Sequence, residues 1–188
     1  VRHLTVIALF LTFDLILFGA FTRLSDSGLG CPDWPGCYGY ASPIGATQAI
    51  ELAQTAMPTG PVTWHKAWIE MIHRYFAMLV GILILTLAIF SWRNERTLWG
   101  WPSLTLVLVC IQGAFGAFTV TMKLFPAIVT MHLLGGLLLL VLLTVQWVRQ
   151  RHVADKMTDR ALPVAVYVMT GLTFLSVLIQ AGLGAWVS

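Results

Sequence analysis

The chain has 188 residues, 58% of them hydrophobic and 10% charged, with a mean hydropathy of +0.83. Soluble domains carry about 25% charged residues, so this composition excludes an ordinary water-soluble globule and points to a protein whose solvent is the lipid bilayer. The formal net charge of +3 is small; where the basic residues fall matters more than their number, and no nucleic-acid partner is expected.

Five apolar runs follow one another, at roughly 4–21, 67–92, 101–122, 127–148 and 162–187. Each is near the ~20 residues that carry a helix across a bilayer. The runs are continuous rather than alternating. A lipid-embedded backbone must satisfy its own hydrogen bonds, so helices are expected over strands. No cleavable signal peptide is expected. Arg2, Arg93, Arg96, Arg149, Arg151, Lys156 and Arg160 fall on one side if the helices alternate; Arg23, Lys66, Arg74 and Lys123 fall on the other. The excess places the N-terminus in the cytoplasm of a multi-pass inner (plasma) membrane protein, with residues 24–65 outside.

The first run carries Asp14 near its middle, a costly position that suits either a packing carboxyl or a functional one. In the outer loop, Cys31 and Cys37 enclose two prolines and a glycine. A tight disulfide fits the spacing and an oxidising compartment; the other reading is two free thiols in a turn-rich loop. Residues 44–56 suggest a short surface helix, and Trp34, Trp64 and Trp68 an interfacial aromatic belt. Cys110, within the third run, is read as a small core residue.

The sequence repeats itself. Phe18-Gly-Ala-Phe-Thr22 closes the first run and Phe115-Gly-Ala-Phe-Thr119 the third; Leu183-Gly-Ala-Trp186 is a looser echo in the fifth. The second and fourth runs each carry a histidine near the outer end, His73 and His132. The repeating unit is therefore a helix pair. Two units give an all-α, four-helix transmembrane bundle over residues 1–160, and residues 161–188 form a fifth helix that starts a further unit.

Two imidazoles at matched depth on different helices could hold one haem iron from opposite sides. Ala77, Gly81, Gly135 and Gly136, one or two turns below, would leave room for a flat macrocycle. The plainer reading of either histidine alone is a packing residue. Arg23, Lys66 and Arg74 are outer-face cations that could meet the propionates, although Lys66 equally suits lipid anchoring. His65 reads as interfacial; His3 and His152 read as solvated on the inner side. Glu70 shares a helix face with His73. A haem held only for structure needs no such carboxylate, whereas a site that removes protons from a substrate does. The alternative is a simple Glu70–Arg74 helix pair.

At these residues the chain resembles the haem A synthase family. The likeness rests on Gly19-Ala-Phe-Thr-Arg-Leu-Ser-Asp-Ser-Gly-Leu29 followed by Cys31 and Trp34, on Glu70-Met-Ile-His-Arg74 and on Met131-His-Leu-Leu-Gly-Gly136. The resemblance implies an eight-helix protein of two similar halves. It implies oxidation of the C8 methyl of haem O to a formyl group, giving haem A for cytochrome oxidase. His73 and His132 would be the ligand pair of the first half, Glu70 the catalytic carboxylate, and Cys31 and Cys37 the paired loop cysteines. Haem b would belong to a second half that this chain lacks; the chain reads either as truncated within its fifth helix, the favoured alternative because that helix begins a unit it does not complete, or as a half-size version that pairs with another copy. Haem O synthase and oxidase assembly factors are expected partners, and a homo-oligomer is an open possibility. The rival reading is a bis-histidine cytochrome b that transfers electrons without substrate chemistry.

Overall fold

The computed structural model describes residues 1–94, 99–155 and 163–187. They are mainly helical, with one isolated antiparallel bridge, Cys37 to Tyr40, in the 25–46 loop, whose end of the molecule is termed outer after its expected side of the membrane. Helix α1 spans Arg2–Leu24, α2 Thr47–Ala56, α3 Trp64–Asn94, α4 Gly100–Thr121, α5 Pro126–Asp155 and α6 Val164–Val187. Five of these, all but α2, are long and apolar enough to cross a membrane. Each expected apolar run is thus a helix, and the short surface helix over 44–56 is α2, starting at Thr47.

Helices α1, α3 and α5 outrun the hydrophobic runs that foretold them. α3 has 31 residues, about 46 Å at 1.5 Å per residue, against a hydrocarbon core of about 30 Å. Its ends therefore project beyond the hydrocarbon, and the outer turns become a post for the outer loop.

α1 packs on α3, α3 on α4, α4 on α5 and α5 on α1, while α6 rests on α5 and α2 on α3. Neighbours in the ring run antiparallel. Thr5, at the start of α1, donates to Gln150 near the end of α5 at 2.8 Å; Thr105, early in α4, donates to Gln146 of α5 at 3.3 Å. Trp92, at the end of α3, donates through Nε1 to Ser103 of α4 at 2.9 Å. These contacts gather Arg2, Arg93, Arg149 and Arg151 at one end. Arg149 and Arg151 lie over the Trp101 and Trp147 rings, at 4.6 and 5.5 Å. Arg96, Lys156 and Arg160 lie outside the described residues.

Ala8, Val80, Ile84, Leu87, Leu139 and Leu143 form the apolar core between the two ends. A second cluster, Cys31, Cys37, Ala46, Ile50, Ala67 and Met71, binds the outer loop and α2 to the top of α3. Cys110 departs from expectation: it is a free thiol on an exposed face of α4, not a core residue. Its apolar character suits lipid as well as protein, so hydrophobicity could not decide between them. Asp14 is half-buried on the helix stripe shared by the exposed Phe10, Leu17 and Phe21, so it lies away from the α1 face that meets α3 and α5.

Candidate functional site

The outer end of the helix ring carries the site, and the outer loop is folded down onto it. Gly30 permits the approach. A side chain there would meet the Lys66 and Ala67 backbone at 2.5–2.6 Å, so only a residue without Cβ lets the loop touch the top of α3. Cys31, next in sequence, then donates its amide to Glu70 Oε2 at 2.8 Å, and its sulfur is bonded to Cys37. Within the loop, the Asp33 carboxylate accepts from the amides of Tyr38 and Gly39 at 2.6 and 2.7 Å. Tyr38 has φ +52° and Gly39 φ +78°, and Asp33 closes this left-handed turn.

Glu70 is 3% exposed, and the Glu70–Arg74 helix pair of the alternative reading is present, buried rather than at an exposed site. Its Oε1 accepts from Arg74 Nη2 at 2.5 Å. Arg74 Nη1 donates to the carbonyls of Asp33 at 2.8 Å and Gly36 at 2.5 Å, with Pro35 at 3.2 Å. The sequence reading sets Arg74 at a haem propionate. In the structure its terminal nitrogens face the loop and Glu70, because three loop carbonyls converge on it. Lys66 is likewise engaged, with Asp26 at 2.7 Å. Arg23 lies half-buried at the outer end of α1. His65 is exposed in the first turn of α3, ahead of the apolar run.

The two histidines occupy equivalent places. His73 of α3 lies against Gly19 of α1; His132 of α5 lies against Gly116 of α4. Those glycines hold the same position in the repeated Phe-Gly-Ala-Phe-Thr motif. Helix starts alone would not match the depths: His73 is about 13 Å along α3 and His132 about 9 Å along α5. The packing against the repeat brings them level. The His73 ring also stacks on Phe18, with centroids 6.1 Å apart and planes at 11°. Motif aromatics pair in both copies, Phe18 with Phe21 at 5.8 Å and Phe115 with Phe118 at 6.3 Å.

Both residues are half-buried, yet the Nδ1 atom of each ring is sealed and without a hydrogen-bond partner. Unmatched buried polar atoms are costly, more so in lipid. With Nδ1 sealed, the Cε1–Nε2 edge beside Gly19 or Gly116 is the edge of each ring left to a ligand, and two such edges on equivalent helices suit a group that ligates imidazole through Nε2. The donor set fits haem: two neutral nitrogen ligands, with no cluster of three or more His, Cys, Asp or Glu among the described residues that would hold a bare metal ion. Gly135 and Gly136 do not leave the expected room beside His132. The Gln112 side chain of α4 covers the first and Ile16 of α1 approaches the second. They serve helix contact, a role small residues commonly have in membranes.

A polytopic helical ring with a disulfide-closed loop over two imidazoles at one end defines an all-helical integral membrane protein. Residues 2–188 match the COX15-CtaA family, described as cytochrome oxidase assembly protein, and the chain belongs to that family. It is 41% identical over 187 residues to the haem A synthase of Shewanella oneidensis, covering 97% of this chain and 55% of that protein. The haem A synthase of Bartonella quintana is 33% identical over 122 residues, 57% of this chain and 34% of the relative. That of Hyphomonas neptunium is 25% identical over 215 residues, all of this chain and 59% of the relative. The chain thus spans about half the length of the curated relatives it matches. No solved structure matches it.

Proposed function

We propose that this chain is the haem O-binding half of a haem A synthase, an oxidoreductase that converts the C8 methyl of haem O to a formyl group. The observation that carries the reading is the equivalence of His73 on Gly19 and His132 on Gly116, each with a sealed, unpartnered Nδ1. Residues 1–160 would form a four-helix bundle of two helix-pair repeats, and α6 would open the second half, where a b-type haem belongs. The arginine-rich end would face the cytoplasm and the disulfide loop the outside of an inner membrane.

In this reading haem O is the substrate, held through its iron by His73 and His132. Two successive hydroxylations, each a two-electron oxidation with its oxidant and oxygen atom supplied from outside this chain, would carry the methyl to a gem-diol, which loses water to give the aldehyde. Glu70, one helical turn from His73, assists proton removal or steadies positive charge at the reacting carbon. Arg74 and the Cys31 amide hold its carboxylate still. Arg23 is the proposed propionate partner. The contacts of Arg74 favour the orienting task, which shifts its role from the haem edge to Glu70. Haem O synthase and oxidase assembly factors remain the proposed partners, together with a possible homo-oligomer.

The test is Glu70→Gln, co-expressed with a haem O synthase in the full-length protein and followed by chromatography of the extracted haem. Retained haem O with little haem A is expected; normal haem A formation removes Glu70 from the chemistry. One observation favours the electron-transfer cytochrome instead: both Glu70 oxygens are already engaged, by Arg74 and by the Cys31 amide. Unmodified haem b alone in extracts of the wild type would support that rival.

A further inference from the structure

The two glycine contacts are alike in position but not in tightness. A Cβ built at Gly19 would stand 3.0 Å from Cε1 and 3.5 Å from Nε2 of His73. A Cβ built at Gly116 would stand 3.5 Å from Cε1 and 4.0 Å from Nε2 of His132. The first separation is closer than side-chain carbons ordinarily approach; the second is ordinary van der Waals contact. His73 has a stacked aromatic, Phe18, against its ring. A side chain at Gly19 would press a ring whose retreat is blocked on one face. Among the described residues no aromatic stacks on the His132 ring in this way.

We propose that Gly19 is a positioning residue for the His73 imidazole: its missing side chain is the seat that keeps the Cε1–Nε2 edge of the ring clear and in place to meet a haem iron, and the Gly116 seat beside His132 is a looser copy. This rests on the haem-binding reading above. It adds an asymmetry that two equivalent ligands would not have. His73 is fixed by a glycine seat and an aromatic wall, and His132 has slack. Neither glycine touches the reaction; each acts through the histidine it faces.

The experiment uses the purified full chain titrated with ferric protohaem, read by optical and electron paramagnetic resonance spectra. Gly19→Ala is expected to weaken binding by about tenfold or more, the range seen when a group orienting a metal ligand is lost. It should also convert part of the low-spin bis-imidazole signal to high-spin. Gly116→Ala should have a smaller effect. Gly113→Ala, on α4 with nothing within 4 Å of the new methyl, should match the wild type. The double variant Phe18→Ala/Gly19→Ala gives the ring room to retreat and should recover low-spin signal, which a merely misfolded protein would not. Equal behaviour of Gly19→Ala and Gly113→Ala overturns the seat, as does a stronger effect at Gly116 than at Gly19. A wild type with no bis-imidazole signature, or one whose spectrum survives both His73→Ala and His132→Ala, overturns the haem reading itself, and the seat with it.

Discussion

Glu70 Oε2 accepts the backbone amide of Cys31 at 2.8 Å, across 39 residues of sequence. One hydrogen bond thereby joins the helix that carries His73 to the loop that carries the disulfide. Arg74 doubles the link, binding the other carboxylate oxygen and three loop carbonyls. The loop and the outer turns of α3 are therefore one mechanical unit, and four consequences can be measured.

Removing Glu70 should release this unit. Glu70→Ala leaves Arg74 Nη2 and the Cys31 amide without their acceptor, while Arg74 Nη1 keeps its loop carbonyls, so the loss should fall below the about 3–5 kcal/mol of a buried charge left wholly unpaired. Glu70→Gln keeps an oxygen for the Cys31 amide and should cost less. Alkylation of Cys31 and Cys37 under mild reductant reports the change: faster in Glu70→Ala than in Glu70→Gln, and slowest in the wild type. Identical rates in all three would show that the carboxylate does not hold the loop.

The disulfide closes a short loop, with a sequence separation of six residues. The chain-entropy estimate for so small a closure is about 2 kcal/mol. Cys31→Ser/Cys37→Ser should lower the thermal midpoint in detergent by a matching amount, and reductant should lower the wild type similarly while leaving the double variant unmoved.

Asp26 and Lys66 form an exposed pair, and the ammonium holds the Asp26 carboxyl below its usual range through a hydrogen bond and its charge. A depressed carboxylate pKa contributes stability above the unfolded value, near 3.8, and that contribution is lost as pH falls through the lower folded value. Solvent and salt screen the pair, so Asp26→Asn should cost under about 1 kcal/mol near neutrality. The difference in thermal midpoint between Asp26→Asn and the wild type should shrink in high salt and vanish at strongly acid pH. A difference that grows on acidification would contradict the pairing.

At the inner end, polar and apolar contacts can be ranked. The Thr5–Gln150 bond is expected to contribute about 0.6 kcal/mol, the mean for interhelical bonds in a membrane. Leu143 is fully buried in the central core, and truncation to alanine should cost about 2–5 kcal/mol. Unfolding titrations in mixed micelles should place Leu143→Ala well below Thr5→Val. The reverse order would make the polar ends, not the core, the main hold on the ring.

Much of this architecture is legible in the chain itself. The five apolar runs had to be helices, because lipid offers no partner for an open backbone and helices bond within themselves. The Phe-Gly-Ala-Phe-Thr repeat and the placing of His73 and His132 were readable as a helix-pair pattern, since both are local in sequence. Burial was less so. Cys110 and the two glycines after His132 look the same whether they face lipid or protein, and only the neighbours of each helix distinguish the cases.

What the sequence by itself determined, then, is the helical membrane class, the order of the helices and the two imidazoles near one end. The tertiary structure alone decided that Glu70 is locked to Cys31 and Arg74, that Arg74 turns to the loop, and that Gly19 lies tight under His73. Those outcomes depend on which distant segments meet. Helix formation is set within a few residues of chain, but the partner of a buried charge or the space beside a ring is set by packing between segments tens of residues apart.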